Sequence, residues 1–245
     1  MGINGSRECA LAAGARQARC RGMSRVIHKA ADMLAAMTAL KVLHIDDALL
    51  VVAKPAGMLS VPGLHEGLLD NLTTHVQALH ADARVVHRLD QATSGLMLFA
   101  RGAAVQRALS MAFEARQVQK NYVAIVMGRV DGDAGSIDAP LIADWPNRPR
   151  QKVDLQHGKP ALTHWRVLGR CAHTTRLELQ PITGRTHQLR VHLQSIGHAI
   201  VGDALYAPDA PRETASPRLM LHATRIAFIH PLRQEPCCFS DAPPF

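Results

Sequence analysis

Residues 85–100 read V-V-H-R-L-D-Q-A-T-S-G-L-M-L-F-A. The apolar pair Val85-Val86 leads into the polar segment His87-Arg88-Leu89-Asp90, and Leu96–Ala100 is an unbroken apolar run directly after it. Such a run, bounded by turn formers, predicts a strand. The polar segment therefore lies on a turn between two strand-like stretches, with Asp90 on it and the cation Arg88 two residues away. Taken alone, it fits an Asx-turn in which Asp90 caps backbone N–H groups as readily as it fits a reactive acid.

Working outward, Val42–Ala53 is β-rich, with Asp46-Asp47 as a hairpin turn. Pro55, Gly57, Pro62 and Gly63 set a loop, and Leu69, Leu72, Val76 and Leu79 follow at helical spacing. Val105, Leu109, Ala112 and Phe113 mark a second helix, and Tyr122–Met127 a strand. Gly132, Gly135, Pro140, Pro146 and Pro149 predict a loop-rich middle, and Thr175–Gln180 alternates like a half-buried strand. Leu189, Leu193 and Ile196 return to helical period facing the core, closed by Gly197 at C′. Strand-like runs recur at Leu219–Leu221 and Ile226–Ile229. Strands and helices mix without regular βαβ alternation. That predicts an α+β fold: a single domain with a central mixed, mainly antiparallel sheet flanked by helices and loops.

At 245 residues and 47% hydrophobic, the chain can bury one sizeable core, built on aliphatic side chains because aromatics are only 4%. No stretch approaches the ~20 apolar residues that span a bilayer. Cys9, Cys20, Cys171, Cys237 and Cys238 form neither a C-x-x-C pair nor a metal-ligand spacing, which predicts a reducing compartment and a cytoplasmic protein. Residues 1–37 carry six basic and two acidic side chains, half of the formal net charge of +8, so charge alone does not establish a nucleic-acid partner. This Ala/Arg-rich extension reads as disordered, as an over-called start ahead of Met37, or as a targeting peptide. Residues 38–245 form the expected domain.

Two further segments carry polar residues in apolar surroundings. Pro181–His192 reads P-I-T-G-R-T-H-Q-L-R-V-H: Thr183-Gly184 supplies a turn and the residues after it predict a helix. On that helix His187, Arg190 and Gln194 share one face, and its opening residues offer donors to an anion or carboxylate. Lys54–Gly63, K-P-A-G-M-L-S-V-P-G, reads as an ordered loop.

In order, the chain contains K-P-x-G-x-x-x-x-P-G, H-R-L-D-x-x-T-S-G, K-x-Y-V-A, P-x-T-G-R-T-H-Q-L-R-V-H, G-D-x-L-Y and L-x-L-H-A. From about Lys41 to the C-terminus this series resembles the pseudouridine synthases that modify large-subunit ribosomal RNA and some tRNAs. Asp144–Lys152 with Gly158–Ala161 resembles in particular the members acting on both 23S rRNA and a tRNA anticodon stem-loop. The resemblance implies the pseudouridine synthase fold, no S4 RNA-binding domain, RNA as partner, no metal or other cofactor, and a monomer. It implies Asp90 as the carboxylate that forms or stabilises a covalent intermediate, Arg190 as its ion-pair partner, and Tyr122 as the aromatic that stacks on the target uracil. Leu221 becomes the apolar wall of the base pocket. Arg88 enters the space left by a flipped-out base, and His87, Arg185, Arg148, Arg150, Lys152 and Lys159 stand near the RNA, with Trp145 among the basic residues.

Other readings of the same residues are weaker. A kinase catalytic loop is H-R-D followed by Asn, with a Gly-rich loop and D-F-G elsewhere, none of which is present. A glycoside hydrolase needs a second acid, and none stands out beside Asp90. A non-catalytic RNA-binding module would explain Arg88 and the basic middle loop but not an Asp–Arg pair at a flipped base.

Overall fold

The computed structural model describes residues 40–63, 70–207, 209 and 211–245, with the compact unit running from Lys41 to Phe245. The reading of residues 1–37, and Leu69 of the first predicted helix, lie outside the described residues.

The chain forms β1 (Lys41–Ile45), β2 (Leu49–Lys54), α1 (Leu72–Leu79), β3 (Ala83–Val85), β4 (Ser94–Arg101), α2 (Ala103–Glu114) and β5 (Gln119–Met127). There follow β6 (Ala134–Asp138), β7 (Leu141–Ala143), β8 (Gln151–Val153), β9 (Leu162–Arg170), β10 (Thr174–Pro181), α3 (Gln188–Ser195), β11 (Leu221–Ile229) and β12 (Pro236–Ser240). The main sheet has the order β1-β2-β4-β11-β5-β10-β9-β6, with β3 beside β4 and β12 beside β11, while β7 and β8 form a separate hairpin. All these pairings are antiparallel except β4 with β11, so the fold is α+β with a mixed, mainly antiparallel sheet. No helix among the described residues is long and apolar enough to cross a membrane.

Local chemistry explains the elements. At the β1–β2 turn the Asp46 carboxylate accepts from the N–H groups of Ala48 and Leu49, at 2.8 and 2.7 Å, an Asx-turn at the predicted position. α1 is capped by Asn71, whose side chain accepts from Thr74 N. α3 ends with His198 N–H donating to Leu193 O and Gly197 N–H to Gln194 O, a Schellman closure that needs the positive φ of Gly197 (85°).

Four expectations need correction. The middle is not merely loops: it supplies β6 and the β7–β8 hairpin, short strands that proline and glycine punctuation conceals. β9 and β12 have no counterpart in the sequence reading; β9 exposes His164, Arg166 and Leu168 on one side, so its apolar alternation is weak. α3 starts at Gln188 rather than straight after Gly184, because His187 takes a left-handed conformation (φ 54°). Ile196, expected in the core, is 39% exposed at the helix cap.

Among the described residues, buried side chains gather in a smaller cluster around Leu141, Ala161, Val191 and Tyr206 and in two large ones. One joins β2, β4 and β11 to α2 through Leu49, Val51, Leu96, Leu98, Val105, Leu109 and Phe228. The other joins β5 and β10 to α3 through Ala124, Val126, Leu177, Leu179, Leu189 and Leu193. The parallel β4–β11 pairing brings Gly95 against Ala223 so closely that a Cβ on Gly95 would fall inside the Ala223 backbone, and its φ of 112° is one that L side chains rarely adopt. Gly95→Ala should therefore lower unfolding free energy by about 2 kcal/mol or more, read as a shifted denaturant midpoint; an unchanged midpoint would refute this close approach.

Candidate active site

A cleft of about 580 Å³ opens where the two clusters meet. Its walls come from the loop before β4 (Arg88, Asp90), from β5 (Lys120, Tyr122), from the turn after β10 and from α3 (Arg190). The first residue of β11, Leu221, is buried behind it.

The Asp90 loop is clamped on both sides. Ser60 Oγ donates to Leu89 O at 2.6 Å and accepts from Leu89 N at 3.1 Å. On the other side Gln91 O accepts from Gly57 N at 2.8 Å and from Lys54 Nζ at 3.0 Å. Lys54 is fully buried and also donates to Pro55 O and Met58 O. Burial, partly opposed by the charge of Asp90, lowers its ammonium to about 8. The K-P-A-G-M-L-S segment is thus the brace that fixes the Asp90 backbone. The Asp90 carboxylate itself, 27% exposed, accepts no hydrogen bond from the described residues and does not form the Asx-turn left open by sequence.

Arg190 is buried (4% exposed) on the first turn of α3. Its Nη1 lies 3.8 Å from Asp90 Oδ2, so the two side chains meet, but Asp90 is the looser of two acids. Asp203 binds the same guanidinium bidentately, Nε to Oδ2 and Nη2 to Oδ1, both at 2.7 Å. Burial works against the Arg190 charge and the bonds to Asp203 outweigh it, leaving it raised. Asp203 also accepts from the backbone N–H groups of Leu205 and Tyr206 at 3.0 and 3.1 Å. Sequence reasoning passes over Asp203 although it stands in the quoted G-D-x-L-Y; an acid in a turn flanked by glycine and tyrosine is the available signal.

The remaining predicted residues divide by what already holds them. Burial pushes the Tyr122 hydroxyl up, and Asp90 adds to this, so Tyr122 enters the cleft as a neutral phenol. Arg88 is exposed and makes no hydrogen bond or ion pair among the described residues. His87 lines the cleft but is committed to the fold: its Nε2 accepts from Leu98 N at 2.9 Å and its ring stacks on Phe113 at 4.8 Å. Arg185 lines the rim and donates to Pro160 O at 3.1 Å. Gln194 is exposed and does not share a face with buried Arg190. Away from the cleft lining, Arg148 stacks on the exposed Trp145 with Cζ 3.2 Å from the ring centroid, Arg150 lies over Tyr206 at 5.5 Å, and Lys152 is exposed on β8.

Among the described residues, one group outside the cleft, Asp46, Asp47 and His230, has metal-like spacing. Its donors do not fit an ion. His230 Nδ1 accepts from Leu232 N and Arg233 N, so Nε2 carries the proton it shares with Asp46 at 3.2 Å. The Arg233 guanidinium, 3.3 Å from Asp46, already supplies the positive charge.

The chain is similar to known proteins in sequence and in fold. Residues 48–195 match the family model described as RNA pseudouridylate synthase. The dual-specificity RNA pseudouridine synthase RluA of Pasteurella multocida (strain Pm70) is 46% identical over 207 residues, 84% of this chain and 94% of that protein. Its counterpart of the same name in Escherichia coli (strain K12) is 48% identical over 193 residues, 78% and 88% of the two chains. The solved structure of human RNA pseudouridylate synthase domain containing 1 superposes with a TM-score of 0.71 at 28% identity, covering 84% of each chain.

Two outcomes follow. Removing Asp203 strands a buried cation, so Asp203→Ala should cost about 3–5 kcal/mol, well beyond the cost of Asp90→Ala; equal denaturation midpoints would contradict the assignment. Burial lowers His87 from 6.5 to about 3. Between those values the unfolded chain binds the proton and the folded one does not, so stability is intact above pH 6.5 and declines as pH falls towards 3. This group contributes a slope of up to about 1.4 kcal/mol per pH unit, which His87→Gln should flatten in acid-unfolding curves.

Proposed function

This chain belongs to the RNA pseudouridylate synthase family, an isomerase that turns uridine of RNA into pseudouridine, and from that premise we propose that Asp90 is its nucleophilic carboxylate. The observation that carries this is the position of Asp90: on the cleft wall, 3.8 Å from an arginine whose other donors are engaged by Asp203, with no protein donor on its own oxygens among the described residues. The looseness of the contact leaves the acid accessible.

The reaction breaks C1′–N1 with the electron pair passing to the uracil, turns the base, joins C1′ to C5, loses the C5 proton and returns a proton to N1. No electron leaves or enters the substrate. In this reading the Tyr122 ring stacks on the extruded uracil, worth roughly 1–3 kcal/mol, and Leu221 walls the pocket. Arg88, uncommitted and planar, takes the vacated place in the RNA stack. Extrusion costs a few kcal/mol, which contacts from Arg185 and from the hairpin residues Arg148, Arg150 and Lys152 offset.

The relatives are named as dual-specificity enzymes. We take two RNA classes, 23S rRNA and a tRNA anticodon stem-loop, as the substrates of this chain, supported by the resemblance of Asp144–Lys152 and Gly158–Ala161. Residues 38–245 would be the catalytic domain, acting in the cytoplasm as a monomer without a cofactor.

Asp90→Ala should keep RNA affinity within a few-fold and form no pseudouridine on tRNA and rRNA fragments, scored by carbodiimide mapping of the isomerised base. Pseudouridine made by Asp90→Ala would remove Asp90 from this role. A wild-type protein that binds these fragments but converts none would favour the binding-module reading.

A further inference from the structure

His187 is a cleft-lining residue that the reaction as described does not use. It precedes α3 in a left-handed conformation, a placement that side chains other than glycine rarely adopt without a reason in the surrounding structure. Two short contacts explain what holds the ring. Tyr206 Oη accepts from the backbone N–H of Gln151 at 2.8 Å, and the same oxygen lies 2.8 Å from His187 Nδ1.

A backbone N–H can only donate, so the first contact uses an acceptor site of the phenol. Tyr206 is buried, and among the described residues its own proton has no acceptor other than His187 Nδ1. The chain of donation therefore runs from Gln151 N–H to Tyr206 Oη–H to His187 Nδ1. That fixes the imidazole as the Nε2–H tautomer. The ring is kept neutral by burial, opposed by Asp90 and Asp203 and assisted by Arg190 and Arg88. Its Nε2 meets no partner among the described residues, so the ring presents one N–H donor to whatever fills the cleft.

We propose that His187 is a further substrate-contacting residue, held as the Nε2–H tautomer by Tyr206, which donates a hydrogen bond to a ribose or phosphate oxygen of the target nucleotide. The assignment rests on the functional reading above. The neighbours name the acceptor class: Asp90 and Arg88, both electrostatically close to the ring, line the same cleft, and with the roles proposed for them the sugar–phosphate of an extruded nucleotide would lie beside His187. A neutral N–H suits that place, because it can bind an oxygen without forming an ion pair that would compete with Arg190 for Asp90. The tautomer is set by the backbone of β8, which also carries Lys152 and follows directly on Arg150, so the strand proposed to meet the RNA also orients a donor in the cleft.

The test separates the ring from the fold. In 15N-histidine spectra of the wild type, His187 should carry its proton on Nε2, and Tyr206→Phe should give a mixture of tautomers. His187→Asn suits the left-handed backbone and can still meet Tyr206 from the Nδ1 position, but has no donor at the Nε2 position. It should melt within a few degrees of wild type and lose about 10- to 100-fold in single-turnover rate. His187→Gln, which places an N–H₂ near the Nε2 position, should recover part of that loss. In the Asp90→Ala background, a loss of binding caused by His187→Asn that disappears with 2′-deoxyuridine at the target identifies the ribose hydroxyl; one that persists identifies phosphate. A proton found on Nδ1, or His187→Asn turning over at the wild-type rate, overturns the proposal. A wild type that converts no uridine overturns the functional reading instead, and the tautomer measurement does not depend on it.

Discussion

One guanidinium shared unequally between two carboxylates governs the cleft. A buried arginine cannot shed its proton, so its charge must be met by an acid, and Asp203 meets it with two 2.7 Å bonds. Had Asp90 been the bidentate partner, its oxygens would be tied down and unavailable to substrate. Because Asp203 carries that duty, Asp90 can sit at 3.8 Å, near enough to feel the charge with no donor among the described residues bonded to its carboxylate. The two acids thus divide the work: one satisfies a buried cation for the sake of the fold, the other faces the cleft.

This division could not be read from the order of residues. The family resemblance implies that Asp90 and Arg190 belong to one site, but spacing says nothing about which acid takes the short bonds. Asp203 lies in a turn 13 residues past Arg190, and only the folding of that turn back onto α3 brings it there. The sheet was more legible, since β1, β2, β4, β5 and β10 announce themselves by apolar runs or strict alternation. β9 is hard to read because it is exposed along one side, and the start of α3 is set by left-handed His187 together with the Gln188 side chain, which closes the turn before it. Gln188 Oε1 accepts from Thr183 Oγ1 and Arg185 N, while its Nε2 donates to Leu162 O. His87 lines the cleft as well, but one of its ring nitrogens is taken by Leu98 N–H, a commitment to the fold that a polar motif does not reveal.

The motif that sequence could describe only as an ordered loop has a mechanical role. An acid with the role proposed for Asp90 needs its backbone held within a fraction of an ångström, and loops alone do not provide that. Here Lys54 and Ser60 grip the carbonyls on either side of Asp90 from a neighbouring loop rooted in β2. A lysine buried without a carboxylate bonded to it is a costly device, made tolerable by three carbonyl acceptors. The brace is rooted in a strand of the first hydrophobic cluster, whereas Arg190 belongs to the second through α3. The Asp90–Arg190 distance therefore depends on how firmly the two halves of the sheet are joined. That junction is the β4–β11–β5 stretch, where Gly95 lets two backbones approach closely and where β11 and β5 pair over much of their length. A change that loosened this seam would separate the acid from its cation without touching either, so the placement of glycine at residue 95 is as much a requirement of the site as the aspartate five residues before it.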